Sequence, residues 1–175
     1  MVKRNLLSSL TKDQQIDILR KNWISHDARW QYATFLELGI DKGNKLNQDI
    51  SYQMGKVVTY RLMNALGISQ IGDIEELQAF MEATMELYYP APGFIYHFER
   101  TSNTSLHAIM EYCGIFENVK KAGIADQYEC ACISMHSGWL KALNIEGKEE
   151  RTKCLKKGDE FCEFIFKVDS FSTGK

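Results

Sequence analysis

The chain has 175 residues, 45% of them hydrophobic and 11% aromatic, with only 2 prolines, so it can bury a core as one domain and is neither disordered nor of low complexity. Its 21 Lys and Arg stand against 23 Asp and Glu, a net charge of -2 without long like-charge blocks. This excludes the concentrated positive face that nucleic-acid binding needs. The start, MVKRNLLSSL, reaches Thr11 and Lys12 before an apolar run of signal-peptide length develops, and no later stretch approaches the roughly 18 apolar residues of a membrane span. A soluble, cytoplasmic protein with no membrane partner is expected.

Thr11 followed by Gln14 is a capping-box signature, opening a helix with Ile16, Leu19, Trp23, Trp30 and Leu38 on one face and Gly39 as its stop. A second helix is expected from Asp41 to Leu66, with Leu46, Ile50, Met54, Val57, Leu62 and Ala65 turned inward and Gly67 as its cap. Asp73 and Glu76 read as a further capping box, opening a helix through Leu77, Phe80, Met81 and Leu87 that Pro90-Ala91-Pro92 ends. There the chain changes character, from a helical part over 1–89 to a mixed part over 90–175 of the same domain. Phe94 to Arg100 and Ser105 to Cys113, separated by Thr-Ser-Asn-Thr, read as a β-hairpin. A short helix around Phe116 to Lys121 and a longer one from Gln127 to Leu143 follow. Glu149 to Leu155 and Phe161 to Val168 then flank Lys-Lys-Gly-Asp-Glu as a second hairpin. This order predicts an α+β fold, an N-terminal helical region packed with a C-terminal antiparallel sheet and helices. Neither a phosphate-cradling glycine loop nor a Gly-x-Ser-x-Gly elbow is present.

Five cysteines, at 113, 130, 132, 154 and 162, all fall in the C-terminal part; an odd count without a secretion signal points to thiols, a metal or redox work rather than a disulfide framework. If the second hairpin is centred on its turn, Cys154 and Cys162 oppose one another with Cβ atoms about 5 Å apart. Cys132 and His136, four apart on a helix, share a face. Cys132, His136, Cys154 and Cys162, with Cys130 as alternate, are therefore candidate ligands for zinc, or for iron or an iron-sulfur cluster. Buried apolar thiols and a reversible Cys154–Cys162 disulfide are the alternatives.

The stretch Cys154-Leu-Lys-Lys-Gly-Asp-Glu-Phe-Cys162-Glu-Phe-Ile resembles the terminal hairpin of the vinyl-reductase-type small-molecule-binding domains. The resemblance implies a vinyl-reductase-like fold and a zinc ion held by Cys154, Cys162 and one of Cys130 or Cys132. The glutamate ligand of that group falls on Arg151 here, leaving Glu150 or His136 as substitutes. Asn-Trp-Ile-Ser-His-Asp-Ala-Arg-Trp at 22–30 and Glu-Leu-Gly-Ile-Asp-Lys-Gly-Asn-Lys-Leu-Asn at 37–47 resemble a cytosolic family grouped with the L-2-amino-thiazoline-4-carboxylic acid hydrolases. That resemblance implies hydrolysis of a cyclic carbon-nitrogen bond.

His26 lies four residues before Trp30 and beside Asp27, on a face expected to be buried. It reads either as a proton donor or ligand contact, or as a satisfied core histidine. His97 and Glu99 alternate onto one strand face, as do His107, Glu111 and Cys113 on the next; these faces line a cavity or meet solvent. Cys113, just before a helix, is a candidate nucleophile. His26, Trp30, Tyr96, His97 and His107 are the ligand-binding candidates, and His26, Asp27, His107 and Cys113 the catalytic ones. Three functions follow: a binding protein for a small organic molecule, aromatic or heterocyclic, with a structural metal; a hydrolase; or an iron-sulfur or redox accessory protein. A homodimer is compatible with leftover apolar helix surface.

Overall fold

The computed structural model of the protein describes residues 6–171, and the chain divides into two compact units with the boundary between Gly43 and Asn44. The first unit holds α1 (Lys12–Leu38). Its capping box is as expected: the Thr11 hydroxyl accepts from the Gln14 N–H at 3.1 Å, and the Gln14 side chain accepts from the Thr11 N–H at 2.8 Å. The expected apolar face differs, because Ile16, Leu19, Trp30 and Leu38 are exposed while Phe35 is buried. The Phe35 ring lies against Gly43, where an added Cβ would come within 2.1 Å of it. Packing is set here by a position with no side chain, which apolar periodicity does not register.

The boundary falls in the first turn of α2 (Ile40–Leu66), and the rest of that helix belongs to the second unit. Val58, Thr59, Leu62 and Met63 are buried, whereas Leu46, Ile50 and Val57, expected inside, are exposed. The cause is a backbone-to-backbone contact with α5 (Cys132–Ala142). A Cβ on Gly55 would sit 2.3 Å from the Met135 carbonyl, and one on Gly138 2.3 Å from the Tyr52 carbonyl. α3 (Ile74–Tyr88) is capped by the Asp73 carboxylate, which accepts from the N–H groups of Glu75 and Glu76 at 2.9 Å each. The Glu76 side chain reaches back to the Gly72 N–H instead of completing a box with Asp73. Ile74, Leu77, Phe80, Met81, Thr84 and Met85 form its buried face at helical spacing.

β1 (Phe94–Ser102), β2 (Ser105–Cys113), β3 (Glu146–Lys153) and β4 (Cys162–Ser170) form one antiparallel sheet in the order β1-β2-β4-β3. α4 (Gly114–Lys121) follows β2, and α3 and α5 pack against the sheet. The registers Tyr96↔Met110, Phe98↔Ala108, Ala108↔Phe164 and Leu106↔Phe166 carry one apolar face across three strands. The fold is thus the expected α+β arrangement, with five α-helices and a four-stranded sheet among the described residues. The helix expected from Gln127 starts only at Cys132. The segment before it is held by buried Asn44, whose amide donates to the Gln127 carbonyl at 2.7 Å and accepts from the Glu129 N–H at 3.0 Å. Among the described residues, no helix is long and apolar enough to cross a membrane.

Candidate functional site

The inner face of the sheet frames a cavity of about 70 Å³, room for a compact group or a few waters. Tyr96, Phe98, Met110, Phe164 and Phe166 of the sheet and Trp139 of α5 stand among the apolar residues of its wall. Set into it are four thiols, Cys113, Cys130, Cys132 and Cys162, together with His136, Arg151 and Lys156. An apolar wall with a few polar groups is the usual make-up of a small-molecule site.

Strict alternation would place Cys113 beside His107 and Glu111. The β1–β2 ladder, however, steps from Ile95↔Tyr112 to Tyr96↔Met110, leaving Glu111 unpaired. This bulge turns Cys113, opposite Phe94, to the inner face. On β3, Glu149 stands opposite Phe166 and Arg151 opposite Phe164, so both turn inward with those rings. Cys132 and His136 lie one turn apart on α5. The turn after β3 passes through Gly158 at φ +92°, a left-handed position suited to glycine, and the Asp159 carboxylate accepts from the Cys154 N–H at 2.7 Å. There the Cys162 sulfur accepts from the Leu155 N–H at 3.3 Å, and the neighbouring Cys154 thiol acts with burial to raise the Cys162 thiol. The Lys156 ammonium donates to the Tyr128 carbonyl.

Sequence reasoning missed the partner of His136. Its Nδ1 lies 2.6 Å from Glu149 Oε1, with the two side chains only 13% and 4% exposed. The imidazole is packed among Trp139, Phe164 and Phe166, at ring-centroid distances of 4.7, 5.0 and 5.4 Å. Glu149 Oε2 is buried without a hydrogen-bond partner, as is Trp139 Nε1. The signal was available in the alternation of Phe164, Phe166 and Val168, since a strand paired with that one must also turn every second residue inward.

Burial pushes the cavity thiols up. Cys130 rises to about 11 and Cys162 to about 12, and Cys132 lies well above the ordinary thiol range. Cys113 is also raised by burial, which outweighs the opposing backbone hydrogen bonds of Phe116 and Ile115 at the start of α4.

Cys130, Cys132, Cys154 and Cys162 lie close enough to influence one another's charge, and their chemistry suits zinc. Among the described residues, no group of three or more His, Cys, Asp or Glu is arranged to hold an ion. His136 turns its Nδ1 to Glu149, and Glu150, opposite Ile165, is exposed.

Of the remaining candidates, His26, Asp27, Trp30, His97 and His107 are not among the residues that line the cavity. His97 stands 3.1 Å from Glu111 and 3.4 Å from Glu99, and His107 3.3 Å from Glu163. Thr152 and His107 hold the Glu163 carboxyl below its usual range. Tyr96 alone of the strand ligand candidates lines the cavity. In the first unit, His26, Asp27 and Trp30 are exposed, and the Trp30 indole donates to His26 Nε2 at 3.0 Å, occupying that ring nitrogen within the helix.

The family model described as L-2-amino-thiazoline-4-carboxylic acid hydrolase matches residues 30–166, a span that includes the whole cavity lining. No curated protein matches the sequence. Among solved structures, a trafficking protein particle complex subunit 3 from Naegleria fowleri, covalently bound to palmitic acid, is similar in fold. The two share 13% identity with a TM-score of 0.60 over 93% of this chain and 100% of that one.

Proposed function

The chain belongs to the L-2-amino-thiazoline-4-carboxylic acid hydrolase family, and on that premise we propose that it is a cytoplasmic hydrolase that opens a small cyclic amidine or thioimidate at a carbon-nitrogen bond in the inner-face cavity. The observation that carries this reading is His136 in the cavity wall, paired behind it with the buried Glu149 carboxylate. With Glu149 ionised, Nδ1 carries its proton toward Oε1 and Nε2 is left as the basic nitrogen. A water oxygen then bonds to the ring amidine carbon while its proton passes to Nε2. That proton goes on to the ring nitrogen, and the hydroxyl proton of the resulting tetrahedral adduct follows it through Nε2 as the carbon-nitrogen bond breaks, leaving a carbonyl and a free amine and restoring the imidazole. Burial keeps Cys113 protonated at neutral pH, which favours water over this thiol as the nucleophile. The palmitic acid held by the fold relative gives a precedent for an organic molecule bound by this architecture.

The test is turnover of 2-amino-thiazoline-4-carboxylate by the wild type and by His136→Ala. Loss of about 100-fold or more in kcat, with circular dichroism unchanged, is expected for a general base. Equal turnover in the two proteins would refute the assignment.

A second reading, a structural zinc ion held by Cys154, Cys162 and Cys130 or Cys132, is favoured by the closeness of Cys154 and Cys130 to Cys162, near enough to raise its thiol. It places the ion's binding energy in folding. Elemental analysis should find about one zinc per chain, lost in Cys154→Ala and Cys162→Ala. Iron with visible colour would favour a redox role instead, and metal content unchanged by both substitutions would remove the site.

A further inference from the structure

We propose that Arg151 anchors a carboxylate of the molecule bound in the cavity, so that the site selects small anionic heterocycles over neutral ones of the same shape. The inference rests on the cavity being the substrate site and adds which residue there recognises the carboxylate. Arg151 is half-buried on the inner face of β3 and lines the cavity. Among the described residues, no Asp or Glu forms an ion pair with it, whereas Arg100 pairs with Glu75 at 2.8 Å. The inward acid on its own strand, Glu149, is engaged by His136, and the other cavity cation, Lys156, is engaged by the Tyr128 carbonyl.

A guanidinium stays charged throughout the working pH range, and leaving it half-desolvated without a counter-ion costs free energy that a bound anion offsets. Its planar fork matches the two oxygens of a carboxylate. Position supports the same conclusion. Arg151 is the ladder partner of Phe164, and the His136 ring packs edge-on to Phe164 with centroids 5.0 Å apart. A flat ring lying at Phe164 therefore has a cation for its carboxylate and an imidazole for its amidine carbon within one neighbourhood.

The experiment is calorimetric titration with 2-aminothiazole-4-carboxylate, an aromatic analogue that resists ring opening, and with its neutral carboxamide. The wild type should bind the carboxylate at least about tenfold more tightly than the carboxamide, the scale of one charge-assisted contact. Arg151→Gln should lose that preference while keeping the carboxamide affinity, and Arg151→Lys should recover part of it. Equal affinity for both probes in the wild type, or no binding of either, would overturn the anchor without requiring any variant to fold. So would a preference retained in Arg151→Gln, or one lost in Lys156→Met and kept in Arg151→Gln. A wild type that discriminates through Arg151 yet shows no turnover would uphold the anchor and retire only the hydrolase reading. Turnover with an unchanged KM in Arg151→Gln would retire only the anchor.

Discussion

Replacing Glu149 by Gln removes one charge from the buried pair and preserves its shape. The contact is 2.6 Å long with side chains 13% and 4% exposed, so solvent screens it little. A hydrogen bond to an ionised partner contributes roughly 1.5–3 kcal/mol against about 1 kcal/mol for a neutral one. The substitution should therefore cost about 0.5–2 kcal/mol and lower the melting temperature by roughly 1–8 °C for a chain of this size. The imidazolium formed when His136 takes a proton loses the same stabilisation. The Gln amide can also donate to Nδ1, leaving the proton on Nε2, the tautomer that cannot accept one. kcat should fall at least about tenfold while KM holds, and Glu149→Asp should restore part of the rate. Thermal denaturation and steady-state hydrolysis of 2-amino-thiazoline-4-carboxylate measure the two effects. A lower melting temperature with an unchanged kcat would make the pair purely structural and refute its part in turnover.

Gly138→Ala places a methyl group 2.3 Å from the Tyr52 carbonyl, forcing α2 and α5 apart. A loss of about 1–3 kcal/mol is expected in denaturant unfolding, accompanied by weaker binding of the aromatic analogue because α5 carries His136; an unchanged midpoint would deny the close helix contact. The Cys113 thiol, raised by burial, keeps its proton in the folded chain at pH values where an unfolded thiol, near about 8.5, has released it. The stability from that difference is complete below the unfolded value and is lost as pH rises through the folded one. The unfolding midpoint of metal-free protein should therefore drop between pH 8 and pH 10 by more in the wild type than in Cys113→Ala, and parallel pH dependences would contradict the burial argument.

The order of elements was legible because its signals are local. Thr11 and Asp73 cap helices, the prolines at 90 and 92 follow the third helix, and Thr101 to Thr104 separate two strands. The clustering of the cysteines was legible in the same way, through their concentration in one part of the chain. The faces were harder to read. One bulged residue, Glu111, reverses the side on which Cys113 lies, and nothing in the alternation of β2 announces it. Glu149 and Arg151 sit in a charged strand that looks solvent-facing until it is paired with Phe164 and Phe166. The inner side of α2 is chosen by the approach of Gly55 to Gly138, a contact made by the absence of side chains. His97 and His107 drew attention as histidines, but the carboxylates that satisfy them come from neighbouring positions in the sheet.

The most direct measurement is a crystal structure with 2-aminothiazole-4-carboxylate bound. The account predicts the ring inside the cavity beside Phe164, its carboxylate on the Arg151 guanidinium and its amidine carbon facing His136 Nε2. A ligand seated on the outer face among His97, His107 and their glutamates, or anywhere else away from the inner-face cavity, would contradict it.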